Sequence, residues 1–170
     1  MKDCYKDIFG WFPESNAQYL EDLMASLNAK SVIEIGSFLG KSTTFFAARV
    51  DRVTAIDTFK GNDEHYMGTV KSLMPNLYDE YRRNTGKFGN ITTLVMPSLD
   101  AAKLNLEADL IYLDGSHKYG DVKADIEAWR GRGFLCGDDF HFPEVQIAVE
   151  RLIPGYHTDG RMWSEPRPRA

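Results

Sequence analysis

Short apolar runs alternate with segments of helical period along the chain, and this alternation limits the fold more than any other feature. Each run suits a strand that is buried on both faces, while the segments between the runs carry apolar residues three or four positions apart. That order builds a mostly parallel sheet covered by helices on both sides. The predicted strands are residues 31–36, 52–57, 91–96, 108–114 and 133–138.

The fold class that follows is α/β, a single doubly wound, Rossmann-like domain with a mostly parallel sheet. The Asp159-Gly160 pair predicts the turn of a C-terminal antiparallel hairpin. Helical periodicity and the positions of proline and glycine predict five helices. The first ends near Asn28, the second covers residues 43–49, the third lies between Pro75 and Gly86, and the last two cover residues 119–129 and 143–152.

The length of 170 residues and the hydrophobic fraction of 43% suit one substantial core and are too small for two ordinary domains. We predict one domain over residues 1–170. Within it, residues 1–30 are expected to form an N-terminal helical cover and residues 58–90 a lid segment over the site.

Composition excludes several classes of partner. The chain has 20 basic and 25 acidic residues and a net charge of -5, so no cationic field exists to hold nucleic acid. Cys4 and Cys136 match neither a zinc spacing nor a disulfide framework, which favours a cytoplasmic protein. No stretch approaches the roughly 20 apolar residues that cross a bilayer, and the N-terminus lacks the apolar run of a signal peptide. We expect no membrane partner.

The loop after the first strand, E-I-G-S-F-L-G-K-S-T at 34–43, resembles two nucleotide-binding loops without matching either. A P-loop needs four residues between its glycines, whereas three separate Gly36 from Gly40. In the dinucleotide fingerprint, Phe38 would stand where the second glycine lets a pyrophosphate approach. A P-loop-like nucleotide hydrolase remains an alternative that the missing residue disfavours.

An acid at the end of the second strand points to a nucleoside. Asp57 follows Gly36 by 21 residues, where a carboxylate can bind both hydroxyls of a ribose. A nucleoside that carries an amino acid instead of phosphates fits this pattern, because Glu34 offers a negative charge and the loop amides with Ser42 face a carboxylate. S-adenosylmethionine is such a ligand. The alternative is a tight turn in some other α/β protein.

The pattern E-I-G-x-x-x-G-x-S followed by a strand-end acid resembles the class I S-adenosylmethionine-dependent methyltransferases, over roughly Ser31 to Ile153. The resemblance implies S-adenosylmethionine as cofactor and places Ser98, after the third strand, near the adenine. A helix N-cap is the other role open to Ser98. The predicted cofactor-binding residues are Glu34, Gly36, Ser37, Phe38, Gly40, Ser42, Asp57, Ser98 and Asp114.

Acids also end the fourth and fifth predicted strands, in D-G-S-H at 114–117 and G-D-D at 137–139. Because parallel strands end at one edge of the sheet, these carboxylates are expected to converge beside the cofactor. Three converging carboxylates either titrate abnormally or bind a cation, and hard oxygen ligands favour Mg²⁺, with Mn²⁺ or Ca²⁺ as alternatives. His117 could then serve as general base.

The D-G-S-H segment and the paired acids are similar to those of metal-dependent O-methyltransferases of the macrocin and mycinamicin sugar type. The resemblance implies metal ligation by Asp114, Asp138 and Asp139, with His117 as the base. The alternative for Asp139 is to cap the helix near Pro143, and the alternative for His117 is a capping or surface histidine at the start of its own helix.

The leading functional prediction is a magnesium-dependent O-methyltransferase acting on a hydroxyl of a sugar or small polyhydroxylated metabolite. A P-loop-like hydrolase and a non-catalytic S-adenosylmethionine-binding module are the alternatives. The sequence leaves open whether the chain forms a homo-oligomer, and it does not identify the acceptor.

Overall fold

The structure is a computed structural model that describes residues 3–61 and 76–166, and its strands follow the predicted apolar runs. The strands are β1 Ser31–Ile35, β2 Arg52–Asp57, β3 Ile91–Val95, β4 Leu110–Leu113, β5 Phe134–Gly137, β6 His157–Thr158 and β7 Trp163–Ser164. The helices are α1 Glu14–Leu27, α2 Lys41–Ala47, α3 Leu77–Thr85, α4 Ser98–Ala102, α5 Tyr119–Trp129 and α6 Pro143–Leu152.

In the described part of the chain, seven strands form one sheet in the order β3-β2-β1-β4-β5-β7-β6. Strands β1 to β5 are parallel, while β7 runs antiparallel to β5 and β6 antiparallel to β7. The α/β fold and the C-terminal hairpin at Asp159-Gly160 are therefore confirmed. Because the chain leaves β1 toward β2 and later returns on the other side of β1 as β4, the topological switch point lies between β1 and β4.

Helices on both faces bury the central strands. One face carries α1 and α2 and holds Leu20 and Phe45 in its core cluster. The other face carries α5 and α6 and holds Trp129 and Val149. All residues of β1 and β4 are buried, which explains why strands of this kind read as nearly continuous apolar runs.

Asp109 fixes the starts of β1 and β4, and this contact shortens the fourth strand relative to the prediction. One carboxylate oxygen, Oδ2, accepts hydrogen bonds of 2.8 Å from the Lys30 amide, the Ser31 amide and the Ser31 hydroxyl. These hydrogen bonds lower the pKa of Asp109, and the bond from the Lys30 amide has the largest effect. Its side chain thus joins the starts of neighbouring strands, and β4 begins at the next residue, Leu110.

The segment predicted as an N-terminal cover, residues 1–30, contains helix α1 at Glu14–Leu27. Residues 10–12 line the cleft described below. Of the predicted lid segment 58–90, residues 62–75 lie outside the described residues, including Pro75. Helix α3 and its stop at Gly86 are present. The boundaries of the single domain, the cover and the lid stay predictions.

Across residues 3–61 and 76–166, no helix combines the length and the apolar character that crossing a bilayer requires.

Candidate active site

A cleft of about 1110 Å³ runs along the carboxyl ends of the parallel strands. It is lined by the residues that follow each strand in turn: Ser98 after β3, Asp57 at the end of β2, Gly36 after β1, Asp114 after β4 and Asp139 after β5. Open α/β sheets bind ligands at this place because the connections diverge at the switch point. One predicted site residue from each of the five strand ends therefore lines the same cleft.

The turn after β1 requires glycine for two reasons. Gly36 has a φ of +88°, and a Cβ atom there would lie 2.1 Å from the backbone oxygen of Asp114. Gly40 has a φ of +84°, and its Cβ would lie 2.7 Å from Cγ2 of Thr85. Phe38 also has a positive φ, +45°, which is strained for a bulky residue. The loop is therefore held tightly against β4 and α3.

Asp57 organises this loop while lining the cleft. Its Oδ2 accepts hydrogen bonds of 2.8 Å from the amides of both Ser37 and Phe38, and its Oδ1 accepts one of 2.7 Å from the amide of Phe59. A carboxylate has about four lone-pair positions, so Asp57 retains capacity to accept from a ribose. Ser37, Phe38 and Ser42 also line the cleft.

Glu34, which was predicted to bind the cofactor, is buried beneath the loop and does not line the cleft. Its Oε2 accepts hydrogen bonds from the hydroxyls of Ser37, at 2.8 Å, and of Thr43. Burial raises the pKa of Glu34 to about 7, and the bonded hydroxyls oppose this shift. Glu34 therefore holds the loop from below. Gly40 is likewise absent from the lining formed by the described residues.

Asp138 is buried, and its carboxylate turns away from the cleft. Its Oδ2 accepts hydrogen bonds from Asn16 Nδ2 at 2.5 Å and Arg161 Nη2 at 3.2 Å. Its Oδ1 accepts the Asp139 amide at 2.6 Å and lies 3.1 Å from Arg161 Nε. With both oxygens occupied, Asp138 serves as the structural anchor of a guanidinium and borders only a small cavity of about 20 Å³.

Asp139 and His117 form a pair at the cleft wall. His117 Nε2 lies 2.7 Å from Asp139 Oδ2, and the imidazole stacks on Phe142 with centroids 4.4 Å apart and planes 9° apart. Nδ1 of His117 is buried and has no hydrogen-bond partner among the described residues. Neither side chain caps a helix, since α5 and α6 begin without a side-chain cap. The capping alternatives are therefore excluded.

Asp114 is partly buried between these groups and the loop. Burial raises the pKa of Asp114 well above its usual value, and the charges of Asp138 and Asp139 raise it further. The Tyr112 hydroxyl donates a hydrogen bond of 3.1 Å to Asp114 Oδ2 and opposes the shift. Arg161 Nη2, 3.7 Å from Asp139 Oδ1, brings a positive charge to the same cluster.

The donor set does not fit a metal centre of three protein ligands as it is arranged. Asp114 and Asp139 face the cleft, but Asp138 is bound to Asn16 and Arg161. Among residues 3–61 and 76–166, no three His, Cys, Asp or Glu side chains are grouped as a metal site. Metal ligation by Asp114, Asp138 and Asp139 stays a prediction, and Asp138 could take part only if Arg161 withdrew from it.

Ser98 lies at the opposite end of the cleft and is the first residue of α4, not its N-cap. Its hydroxyl oxygen accepts a 2.7 Å hydrogen bond from Trp129 Nε1. Ser98 also opposes the rise that burial causes in the pKa of Asp125, a cleft-lining carboxylate of α5 that the sequence interpretation missed. Helical periodicity could have found Asp125, because it lies four positions after Asp121 on α5 and both residues line the cleft.

Arg161 is the other residue that sequence reasoning missed. It lies in the hairpin turn between β6 and β7, 23 positions from Asp138, and no spacing motif joins it to the acidic strand ends. Only the antiparallel pairing of β7 with β5 brings the turn over the cluster.

Comparisons with known proteins agree with this geometry. A family profile described as "Methyltransferase domain" matches residues 33–139. An uncharacterised protein, y4gI, from Sinorhizobium fredii (strain NBRC 101917 / NGR234) is 30% identical over 116 residues, which is 63% of this chain. The aligned part spans 12% of the length of that relative.

Several solved structures have the same fold. An O-methyltransferase from Bacillus cereus in complex with SAH matches with a TM-score of 0.63 and 14% identity, covering 97% of this chain and 87% of that one. A Staphylococcus aureus protein described as a candidate caffeoyl-CoA O-methyltransferase has a TM-score of 0.65 and 18% identity, with coverages of 96% and 88%. CalS11, a TDP-rhamnose 3'-O-methyltransferase of calicheamicin biosynthesis, has a TM-score of 0.58 and 16% identity, with coverages of 89% and 79%.

At such identities the structural likeness establishes the fold alone, whereas the profile covers most of the chain, including the strand ends that line the cleft. The match also decides against the P-loop-like hydrolase. The chain therefore belongs to the methyltransferase domain family and has the fold of class I S-adenosylmethionine-dependent methyltransferases.

Proposed function

We propose that the protein transfers the methyl group of S-adenosylmethionine to a hydroxyl oxygen of a small polyhydroxylated acceptor, such as a sugar. The observation that carries the proposal is the His117–Asp139 pair, 2.7 Å apart, on the wall of the cleft that also holds Asp57 and the Gly36 loop. A proton acceptor and a nucleoside site in one cleft are what O-methyl transfer needs.

The order of the strands gives the cofactor a direction. Asp57 on β2 would bind the ribose, and the loop after β1 would receive the amino acid part. The proton acceptor lies beyond β4 and β5, so the sulfonium must point that way and the adenine must lie toward β3. The methyl group then faces His117, and the acceptor hydroxyl lies between them.

The paired carboxylate supports the base role of His117. In the short contact with Asp139, a neutral imidazole carries its proton on Nε2 and keeps a lone pair on Nδ1. When the ring takes the proton of the acceptor hydroxyl, the Asp139 carboxylate stabilises the imidazolium that forms. Because Nδ1 is buried in this arrangement, acceptor binding has to turn the ring or displace its surroundings.

The charges around the pair favour an acceptor rich in hydroxyl groups. Asp114 and Asp139 present carboxylate oxygens to the cleft, and these accept hydrogen bonds from hydroxyls. Neighbouring hydroxyls of one sugar could therefore be held by the acids while one of them meets the methyl group. A sugar is also the acceptor named for the structural neighbour CalS11.

Metal dependence is a separate part of the proposal. Asp114 and Asp139 would hold a divalent ion such as Mg²⁺ from the cleft side. The bound ion would lower the pKa of the acceptor hydroxyl. The charge balance supports this part, since Asp138 and Asp139 share the Arg161 guanidinium and their charges raise the pKa of the neighbouring Asp114.

A methyl-transfer screen tests the proposal. Protein incubated with S-adenosylmethionine carrying a labelled methyl group is offered sugars, glycosylated metabolites and catechols, with Mg²⁺ or with a chelator. We expect label to enter a polyhydroxylated acceptor as a base-stable ether, and less label when the chelator is present.

Transfer to a nitrogen or carbon atom would contradict the hydroxyl assignment. Binding of S-adenosylhomocysteine without transfer to any acceptor in the panel would favour the non-catalytic cofactor-binding module. Equal transfer with Mg²⁺ and with chelator would remove the metal from the proposal and leave the remainder intact.

A further inference from the structure

Three aromatic side chains cluster where the N-terminal segment meets the loop after β1. The ring centroid of Trp11 lies 5.4 Å from that of Phe9 and 5.5 Å from that of Phe38, and Phe9 lies 6.4 Å from Phe38. Trp11 and Phe38 both line the cleft. Phe9 and Trp11 are 46% and 48% exposed, and large apolar side chains that are exposed together mark a binding surface. We call these three residues the aromatic wall.

The chain on both sides of Trp11 is fixed, so the wall exists before a ligand binds. The preceding residue, Gly10, accepts a hydrogen bond of 3.2 Å from Lys41 Nζ through its carbonyl oxygen. The following residue, Phe12, is buried in the core against Phe45, with ring centroids 5.1 Å apart. An apolar surface that is already in place binds a ligand without a further cost of ordering.

The aromatic wall lies beside the acids that face the acceptor. Arg161 Nη2 lies 3.5 Å from the backbone oxygen of Trp11 and 3.7 Å from Oδ1 of Asp139, the partner of His117. One guanidinium therefore connects the wall to the proton-accepting pair. The cleft combines an aromatic surface with carboxylate oxygens that accept hydrogen bonds from hydroxyls.

A pyranose ring matches this combination, because its C–H groups form an apolar face while its hydroxyls project from the rim. An open-chain polyol has the hydroxyls but no fixed apolar face. Aromatic side chains attract C–H groups through the negative face of the ring, and they add a large apolar contact area.

We propose that the acceptor is a pyranoside whose C–H face stacks on Trp11 while its hydroxyls bond Asp114 and Asp139. The inference rests on the proposed function, because hydroxyl transfer beside His117 places the acceptor at this end of the cleft. It narrows the acceptor to a ring-shaped sugar and gives Trp11 the role of binding that ring.

Tryptophan fluorescence tests the contact without measuring activity. The chain has three tryptophans, and Trp129 and Trp163 are fully buried, so acrylamide quenches Trp11 selectively. With S-adenosylhomocysteine present, the methyl pyranosides of galactose, glucose, mannose and rhamnose are compared with the alditol of each sugar, which controls for viscosity. At least one pyranoside should lower the quenching constant about twofold or more, while its alditol leaves the constant unchanged.

Variants of Trp11 separate the ring contact from the fold. Trp11→Phe should abolish the quenchable emission and keep the affinity for the protecting pyranoside within about threefold, whereas Trp11→Ala should weaken it about tenfold. Both should keep S-adenosylhomocysteine affinity within about twofold, since the core residue Phe12 is unchanged. Tyr78→Ala is the matched control, because Tyr78 is an exposed aromatic residue that is absent from the lining of this cleft. It should bind the pyranoside as the native protein does.

Protection by no pyranoside, or equal protection by pyranoside and alditol, overturns the inference, as does protection by catechol in place of a sugar. A quenching constant that falls with protein concentration in the absence of sugar also overturns it, because a second copy of the chain then covers the wall. Methyl transfer to an open-chain polyol with Trp11 unprotected would leave the proposed function standing without the inference. Protection of Trp11 by a pyranoside that receives no methyl group would leave the ring contact standing without the proposed function.

Discussion

The aspartates in and around this cleft have different roles, and the immediate contacts of each carboxylate determine its role. Asp57 is held by three loop amides, Asp138 by Arg161 and Asn16, and Asp139 by His117. The donors of Asp138 make it an anchor for Arg161, whereas the contact of Asp139 with an imidazole lets it help that ring to take up a proton.

The base assignment predicts the effect of changing the pair. His117→Ala should lower kcat at least about 100-fold, because general-base catalysis typically contributes that much, while S-adenosylhomocysteine affinity stays within about twofold. Asp139→Asn should also lower kcat, since the imidazolium loses its stabilising charge. Single-turnover rates and calorimetry measure the two quantities. Native kcat in His117→Ala would remove the residue from the chemistry.

Glu34 predicts a pH dependence of stability. The folded protein holds a proton on Glu34 up to a pH of about 7, whereas the unfolded chain loses it near 4.5. The native state therefore binds more protons between these values, and the free energy of unfolding falls as pH rises, by about 3 kcal/mol in total.

Glu34→Gln should remove this part of the slope. Urea denaturation of both proteins from pH 5 to pH 8 measures it. The native protein should lose stability relative to the variant as pH rises, and parallel curves would show that Glu34 is ionised throughout.

At the scale of elements, the turn after β1 and the β6–β7 hairpin, through Arg161, both contribute to the lining of the cleft. The strands themselves could be predicted, because runs such as those of β2 and β4 need no more than burial on both faces. Arg161 could not, because its partner Asp138 is distant in sequence and only strand pairing brings the two together. Glu34 was predicted to bind the cofactor because its sequence position places it on β1, next to the loop. Sequence position does not show on which side of the loop a side chain lies, and Glu34 lies on the side away from the cleft.

Two glycine substitutions test the packing of the turn. Gly36→Ala adds a Cβ atom 2.1 Å from a backbone oxygen at a φ of +88°, so it should cost at least about 3 kcal/mol of unfolding free energy. Gly160→Ala is the control, because its φ of +97° is also positive but nothing lies within 4 Å of the added atom. Its cost should be about 1–2 kcal/mol. Equal losses in urea denaturation would contradict the close contact of β1 with β4.

Arg161 predicts a competition between a guanidinium and a metal ion. Arg161→Ala removes the positive charge from Asp138 and Asp139, so Mn²⁺ should bind at least about tenfold more tightly than in the native protein. Arg151→Ala, which removes a cation from the face of Tyr119, is the control. Electron paramagnetic resonance counts the free Mn²⁺. Unchanged affinity in Arg161→Ala would show that the guanidinium does not compete for these acids.

For the whole molecule, the strand order turns five separate strand ends into one directed cleft. The alternation of apolar runs was enough to predict the α/β fold, and the family match confirms that the chain carries a methyltransferase domain. The sequence could not show which strand-end acids face the cleft, because adjacent residues of an extended chain point to opposite sides. Asp138 and Asp139 are adjacent in sequence and have different environments for this reason.

The central claim is that the sulfonium of the cofactor and the His117–Asp139 pair face each other across one acceptor hydroxyl. A crystal structure with bound S-adenosylhomocysteine measures this directly. One near-attack contact of about 3–3.5 Å and one hydrogen bond of about 2.8 Å must fit between the two groups, so we predict the sulfur within about 8 Å of the His117 ring. A sulfur atom at the β3 end of the cleft, with the adenine beside His117, would contradict the account.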